Sequence, residues 1–229
     1  MKLIIAVTFL ILPFFQSYDY VSFEMTQRRN VDGKTSRTNA KFYFSNNGRL
    51  VAHYYSPLEF YMINNKEGEL SLYNPENNTV FQVMNYLLSS QNNPIYFFLS
   101  NKTDDMGLRS MDFKLTNSRL EDGLLISRYK APQAQQKDGY TEVELVHQGK
   151  TPVFIGYLND DNEYVKKVFY YEYEEVGDFE IPTAITEIEY MEEGDSAISK
   201  TDFANFQFDE PADLEFMNFQ VPASAELIK

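Results

Sequence analysis

The stretch Asn46-Asn47-Gly48-Arg49-Leu50-Val51-Ala52-His53-Tyr54-Tyr55-Ser56-Pro57 decides how this chain is read, together with Leu70-Ser71-Leu72-Tyr73-Asn74-Pro75 after it. Each stretch follows a turn signal, Asn47-Gly48 or Glu67-Gly68, and each closes on a proline. Between the turns the residues are aliphatic and aromatic, the types that suit a pleated, half-buried surface. Leu58, Phe60 and Met62 alternate in the interval. Period-two alternation over a short span predicts strands, so the region reads as successive hairpins.

The same grammar continues outward. Phe42/Phe44, Met111/Phe113/Leu115, Val143/Leu145, Ile188/Tyr190 and Phe206/Phe208 alternate, and Asp122-Gly123, Gln148-Gly149, Asp160-Asp161-Asn162 and Glu193-Gly194-Asp195 punctuate them. This spacing predicts an antiparallel meander rather than βαβ units. Two places read as helix: Pro94 to Leu99, capped by Asn93 with proline in the first turn, and a weaker run from Val80 to Leu88. Ala131 to Asp138 reads as a loop. A long sheet with few helices must bury its apolar face against a second sheet, by curling, or under a lid, and periodicity alone leaves a sandwich equally open.

Composition narrows the classes. The chain has 229 residues with 17 Tyr and 19 Phe, an aromatic load that favours sheet. With no Cys there is neither a disulfide nor a lipobox cysteine to acylate. Lys2 followed by the apolar run Leu3–Phe15 has the pattern of a secretory signal over residues 1–17, too short for a good membrane span. Residues 18–229 then form a single domain. The formal charge of −14 argues against nucleic acid, because an acidic surface repels phosphate and gains nothing from counterion release.

Catalytic readings find little support. His53 and His147 are the two histidines and neither has metal-ligand spacing, so both read as structural residues on strands, His53 at an exposed or cavity-facing position. There is no Gly-x-Ser-x-Gly elbow and no Gly-rich phosphate loop. Asp160-Asp161-Asn162-Glu163 lacks the spacing and glycine of a calcium loop. No enzymatic activity, cofactor or metal is expected.

The quoted residues resemble the LolA lipoprotein-carrier family. In that family a Pro-Gly-x-Phe/Leu-x-Trp-x-Tyr-x-x-Pro strand pair precedes a Leu-Trp-Leu-Tyr-x-Pro segment, and Gly48, Leu50, Tyr54, Pro57, Leu70, Leu72, Tyr73, Asn74 and Pro75 match it. Asn93-Pro94 with Phe97-Phe98-Leu99 resembles the family's short helix, and Phe216, Phe219 and Pro222 resemble its ending. The resemblance implies a mainly β fold: one antiparallel sheet curled into an unclosed half-barrel covered by short helices. It also implies a monomeric periplasmic carrier that shelters the acyl chains of lipoproteins or lipids, taking them from an inner-membrane donor protein and passing them to an outer-membrane acceptor. The acyl cavity and lid would be formed by Leu50, Tyr54, Phe60, Leu72, Phe97 and Phe98. One of Phe97 and Phe98 is expected to lead into an apolar cavity of several hundred Å3, since adjacent helical residues lie about 100° apart.

Two departures from the family pattern stand out. The arginine that latches the family's lid aligns with Asn46, with Arg49 the nearby guanidinium, and only Tyr18-Asp19-Tyr20 stand between the signal and the first strand, where the family has a helix. These motivate an alternative, a same-fold envelope sensor or binding protein for another lipid or a partner protein. A secreted carbohydrate-active β-sandwich is a third reading, carried only by the surplus of carboxylates and exposed Tyr.

Overall fold

A computed structural model of the chain describes residues 18–133, 136, 139–191, 195–209, 212 and 214–228. The expected signal segment lies outside these residues, as do parts of the loop at 131–138 and of the turn at 193–195. The strands are β1 (Tyr20–Val31), β2 (Lys34–Ser45), β3 (Leu50–Ser56), β4 (Phe60–Asn64), β5 (Glu69–Asn74), β6 (Thr79–Met84), β7 (Lys114–Glu121), β8 (Leu124–Lys130), β9 (Glu142–Gln148), β10 (Thr151–Leu158), β11 (Tyr164–Val176), β12 (Phe179–Tyr190), β13 (Ser196–Phe208) and β14 (Glu226–Ile228). Among the described residues there is one α-helix, α1 (Pro94–Leu99).

All the strands lie in one sheet, ordered β14-β6-β5-β4-β3-β2-β1-β13-β12-β11-β10-β9-β8-β7. Each strand from β1 to β5 pairs with its successor, as does each from β7 to β12, and β1 joins the two arms by pairing with β13. Every neighbour is antiparallel except β14, which runs parallel to β6. β7 and β14 are the two ends, so the sheet curls without closing, the mainly β half-barrel that the resemblance implied.

Alternation assigns the faces. Phe23, Phe42, Ala52, Met62 and Leu72 are paired in turn across β1 to β5, so they share the concave face. That face and α1 build one continuous core, from Val21 and Phe44 to Leu145 and Ile181. On the convex side of β2 to β6 lie Tyr43, Val51, Tyr61, Tyr73 and Val80, and here the chain after β13 crosses back as a strap. Phe216, Met217 and Phe219 cover those residues before the chain reaches β14. Tyr61 stacks on Phe219 at 4.3 Å, and burial, helped by Glu59, pushes its hydroxyl up to about 12.

Three expectations are corrected. Val80 to Leu88 is not a helix: Thr79–Met84 is β6, followed by a 3-10 turn at Tyr86–Leu88. The pairing groups of β5 outweigh a weak helical spacing, with Val80 buried under the strap and Phe81 and Val83 on the other face. Met111 ends a 3-10 turn and Phe113 precedes β7, so that alternation belongs to a loop packed on the core. His53 lies on the convex face beneath Phe216, stacked on Tyr61 at 4.5 Å, with Nε2 3.0 Å from Glu59 Oε1.

Candidate functional site

The concave face carries a continuous strip of rings. Phe206, Phe23 and Phe42 stack in series at 5.0 and 5.1 Å; Phe42 meets Tyr54 edge-on at 6.1 Å, and Tyr54 stacks on Phe60 at 4.2 Å. The strip thus crosses β13, β1, β2, β3 and β4. It arises because inward positions on neighbouring strands stand directly opposite one another, close enough for aromatic pairs to interlock. Burial raises the Tyr54 hydroxyl above its usual range, so this ring stays neutral on the apolar floor.

Of the six residues singled out from the sequence, Leu50, Tyr54, Phe60 and Leu72 all stand on the concave face, but not at one spot. Leu50 is fully buried beside Phe44 and Val21, Tyr54 and Phe60 form the half-buried end of the ring strip, and Leu72 extends the Phe42 row towards β6. Phe97 and Phe98 come from α1 above them. Phe98 leads inward, 5.4 Å from the Tyr170 ring and 6.1 Å from Tyr173. Phe97 is buried as well, because the loop after the helix folds over it.

Local sequence makes this short helix possible. The Asn93 side chain accepts from the Ile95 N–H at 3.1 Å, Pro94 occupies the first turn, and Asn101 in the left-handed region (φ 51°) ends it. Ile95, Phe97, Phe98 and Leu99 are all buried, with Met106, Leu108 and Phe113 continuing the cluster. Where the sequence suggested an apolar cavity beneath the helix, α1 and its loop pack into the concavity against the sheet. The helix is a plug.

Polar contacts pin the plug at both ends. On one side the Ser90 hydroxyl donates to the Gly48 carbonyl at 2.6 Å, Ser89 to the Lys66 carbonyl at 2.8 Å, and the Asn64 amide to the Leu88 carbonyl at 2.6 Å. On the other, His147 Nε2 lies 2.9 Å from the Thr103 carbonyl, and its Nδ1 is buried without a partner among the described residues. The Asn46 amide donates to Asp19 instead of the plug, and Arg49 binds the strap, so the turn at Gly48 offers a carbonyl where the family pattern has a guanidinium. None of these pins was legible in the sequence, since serines and a histidine of this kind carry no motif.

Gly107 completes the plug. At φ +75° it sits where side chains are strained, and a Cβ there would lie 2.4 Å from the Phe97 ring. Gly107→Ala is expected to push Phe97 off its seat at a cost of about 1–3 kcal/mol. The change should appear as faster amide exchange over Pro94–Leu99, with the strands unaffected.

At one mouth of the concavity the face turns ionic, where Arg29 donates to Glu189 at 2.8 Å and Lys166 lies 3.7 Å from the same carboxylate. Partial burial pushes the Glu189 carboxyl up, but the Arg29 hydrogen bond and the nearby positive charges outweigh it and hold it below its ordinary 4.5. A depressed carboxyl contributes stability above its unfolded value that is lost as pH falls through the folded one. Stability should therefore decline below about pH 4.5, and Glu189→Gln should flatten part of that acid limb in pH-dependent thermal unfolding.

One opening borders the plug and a second lies towards the β7 end of the sheet. The first, of about 460 Å3, lies outside α1, lined by Tyr96, Phe97, Lys102, Asp105 and Arg109. The second, a larger, polar one of about 1090 Å3, lies beside Lys114, Lys130, Glu142 and Asp160. Among the described residues no group of three His, Cys, Asp or Glu could hold a metal, and no helix is long and apolar enough to cross a membrane.

No family model matches this sequence, and neither does any curated protein. Solved structures do resemble it. A putative outer membrane lipoprotein-sorting protein domain from Vibrio parahaemolyticus superposes with a TM-score of 0.61 at 12% identity, covering 89% of this chain and 91% of that one. A DUF1329 family protein from Desulfovibrio piger gives 0.60 at 13%, covering 88% and 90%. A LolA superfamily protein from Nitrosomonas europaea gives 0.58 at 10%, covering 88% and 91%. At such identities likeness speaks for architecture: the chain has the fold of the LolA superfamily.

Proposed function

We propose that the chain is a periplasmic carrier that takes acyl chains of lipids or lipoproteins onto its concave face when α1 swings out. One observation carries the reading. The apolar floor is filled by a six-residue helix, far shorter than a helix that is stable alone, held by a few hydrogen bonds at its two ends. Replacing the plug by an acyl chain exchanges one apolar filling for another, so the site opens without exposing its floor to water. Each buried methylene contributes roughly 0.8 kcal/mol, so a chain of about a dozen carbons is held by about 10 kcal/mol gross. Release then requires a second apolar surface, which fits transfer from an inner-membrane donor to an outer-membrane acceptor. The site does no bond-making chemistry in this reading; it binds.

A fluorescent fatty acyl probe should bind the purified protein, and organic extraction of the protein isolated from its host should release lipid. No probe uptake together with no extracted lipid overturns the carrier reading. A second reading, an envelope binding or sensor protein of the same fold, draws support from Arg49, which holds the strap rather than the plug. Rescue of a strain depleted of its own lipoprotein carrier would eliminate that reading; failure to rescue despite lipid binding would favour it.

A further inference from the structure

The concave face changes character along its strands. Its inward positions on β12 include Phe179, Ile181 and Ile185 and then Glu187 and Glu189. On β1 they run Val21, Phe23, Met25 and then Gln27 and Arg29, with Thr201 and Ser199 opposite on β13. Apolar bed gives way to hydrogen-bonding groups and then to charges within about four residues, or about 13 Å.

At the charged end, Arg29 reaches Glu189 at 2.8 Å and the Ser199 hydroxyl at 3.4 Å, and Lys166 lies 3.0 Å from Glu187 and 3.7 Å from Glu189. These four side chains remain 30–38% exposed. Lys166 and Glu189 border a groove of about 520 Å3 whose other lining includes Tyr140, Tyr157 and Met191. Tyr140 meets Tyr157 edge-on at 5.0 Å and lies parallel to buried Phe113 at 6.5 Å, so an apolar path leads from the groove to the core.

Building on the carrier reading above, we infer that this mouth receives the headgroup of a zwitterionic phospholipid. Its phosphate takes Arg29 and Lys166, its ammonium takes Glu187 and Glu189, and its acyl chains run towards Phe23. Charge balance decides for a zwitterion. The two cations and two carboxylates interleave and sum to zero, and exposed pairs of this kind contribute little net stability, so they exchange partners readily. The Arg29 fork suits a phosphate and the carboxylates suit an amine. A purely anionic headgroup would leave both carboxylates facing it uncompensated, on a chain whose formal charge is −14. A fatty acid would use the cations and strand the carboxylates in the same way.

The test compares tail-labelled phosphatidylethanolamine, tail-labelled phosphatidylglycerol and the free labelled fatty acid on the full chain. The ethanolamine lipid should bind at least about tenfold more tightly than the other two. Glu187→Gln should narrow that preference, and Glu189→Lys should reverse it in favour of phosphatidylglycerol, with circular dichroism confirming that each variant is folded. Equal affinity for all three probes, or a wild-type preference for phosphatidylglycerol, overturns the headgroup assignment and leaves the carrier reading standing. If no probe binds at all, the carrier reading falls and takes this one with it.

Discussion

Phe98→Ala is expected to tighten the binding of an acyl probe by about tenfold to a hundredfold, although it removes a buried ring. In the carrier reading, Phe98 packs against Tyr170 and Tyr173 only while the plug is seated. Truncating such a ring costs about 3–5 kcal/mol, and here the cost falls on the closed state. Apparent affinity for a ligand that binds the open state rises as the open fraction rises, and it saturates once the open state dominates. Calorimetric or fluorescence titration would read the gain, and amide exchange should show α1 losing protection while β1, β2 and β13 keep theirs. If affinity falls and the whole sheet melts at lower temperature, Phe98 belongs to an indivisible core and there is no plug.

Arg49→Ala should free the strap and leave the concave site intact. The guanidinium donates from Nε to the Met217 carbonyl at 2.9 Å and from Nη2 to the Phe219 carbonyl at 2.5 Å, and partial burial lowers its pKa from the ordinary arginine range. Losing two charge-assisted hydrogen bonds costs about 2–4 kcal/mol, enough to expose Tyr43, Val51, Tyr61 and Tyr73 intermittently. Limited chymotrypsin digestion should then cut at Phe216 or Phe219 faster than in the unaltered protein, with acyl binding nearly unchanged. Arg49→Lys should rescue only in part, because a point charge cannot serve both carbonyls with the planar fork of arginine. A strap still resistant in Arg49→Ala would mean that Phe216, Met217 and Phe219 hold it unaided.

Much of the sheet was legible because its rules are local. Turns at Asn47-Gly48 and Glu67-Gly68 and the alternation Phe60/Met62 specify hairpins without reference to distant residues, and Asn93-Pro94 marks the start of α1 for the same reason. Val80 to Leu88 was misread because the six residues of β6 hold too few apolar positions to separate a period of 2 from 3.6. The site was legible only in outline. Leu50, Tyr54, Phe60 and Leu72 share a face that alternation assigns. What sequence did not yield were the relations between distant segments: Ser90 to Gly48, His147 to Thr103, Arg49 to Phe219, and the stacking of Phe23 between Phe42 and Phe206. Phe23 was within reach, since Val21, Phe23 and Met25 alternate in the sequence, but nothing local says that β13 returns beside it.

The free ends of the sheet bear on how such a site widens. A closed barrel has a circumference fixed by its strand number and ladder register, so enlarging its lumen means breaking or sliding hydrogen bonds. Here β7 and β14 are not joined, and a small change of twist at each strand interface accumulates along the order from one edge to the other. The gap between the edges can therefore breathe with every ladder intact. Girth becomes an elastic variable, and in the carrier reading proposed above, cargoes of different bulk, from one acyl chain to several, would meet a scaffold that adapts by bending instead of by unzipping.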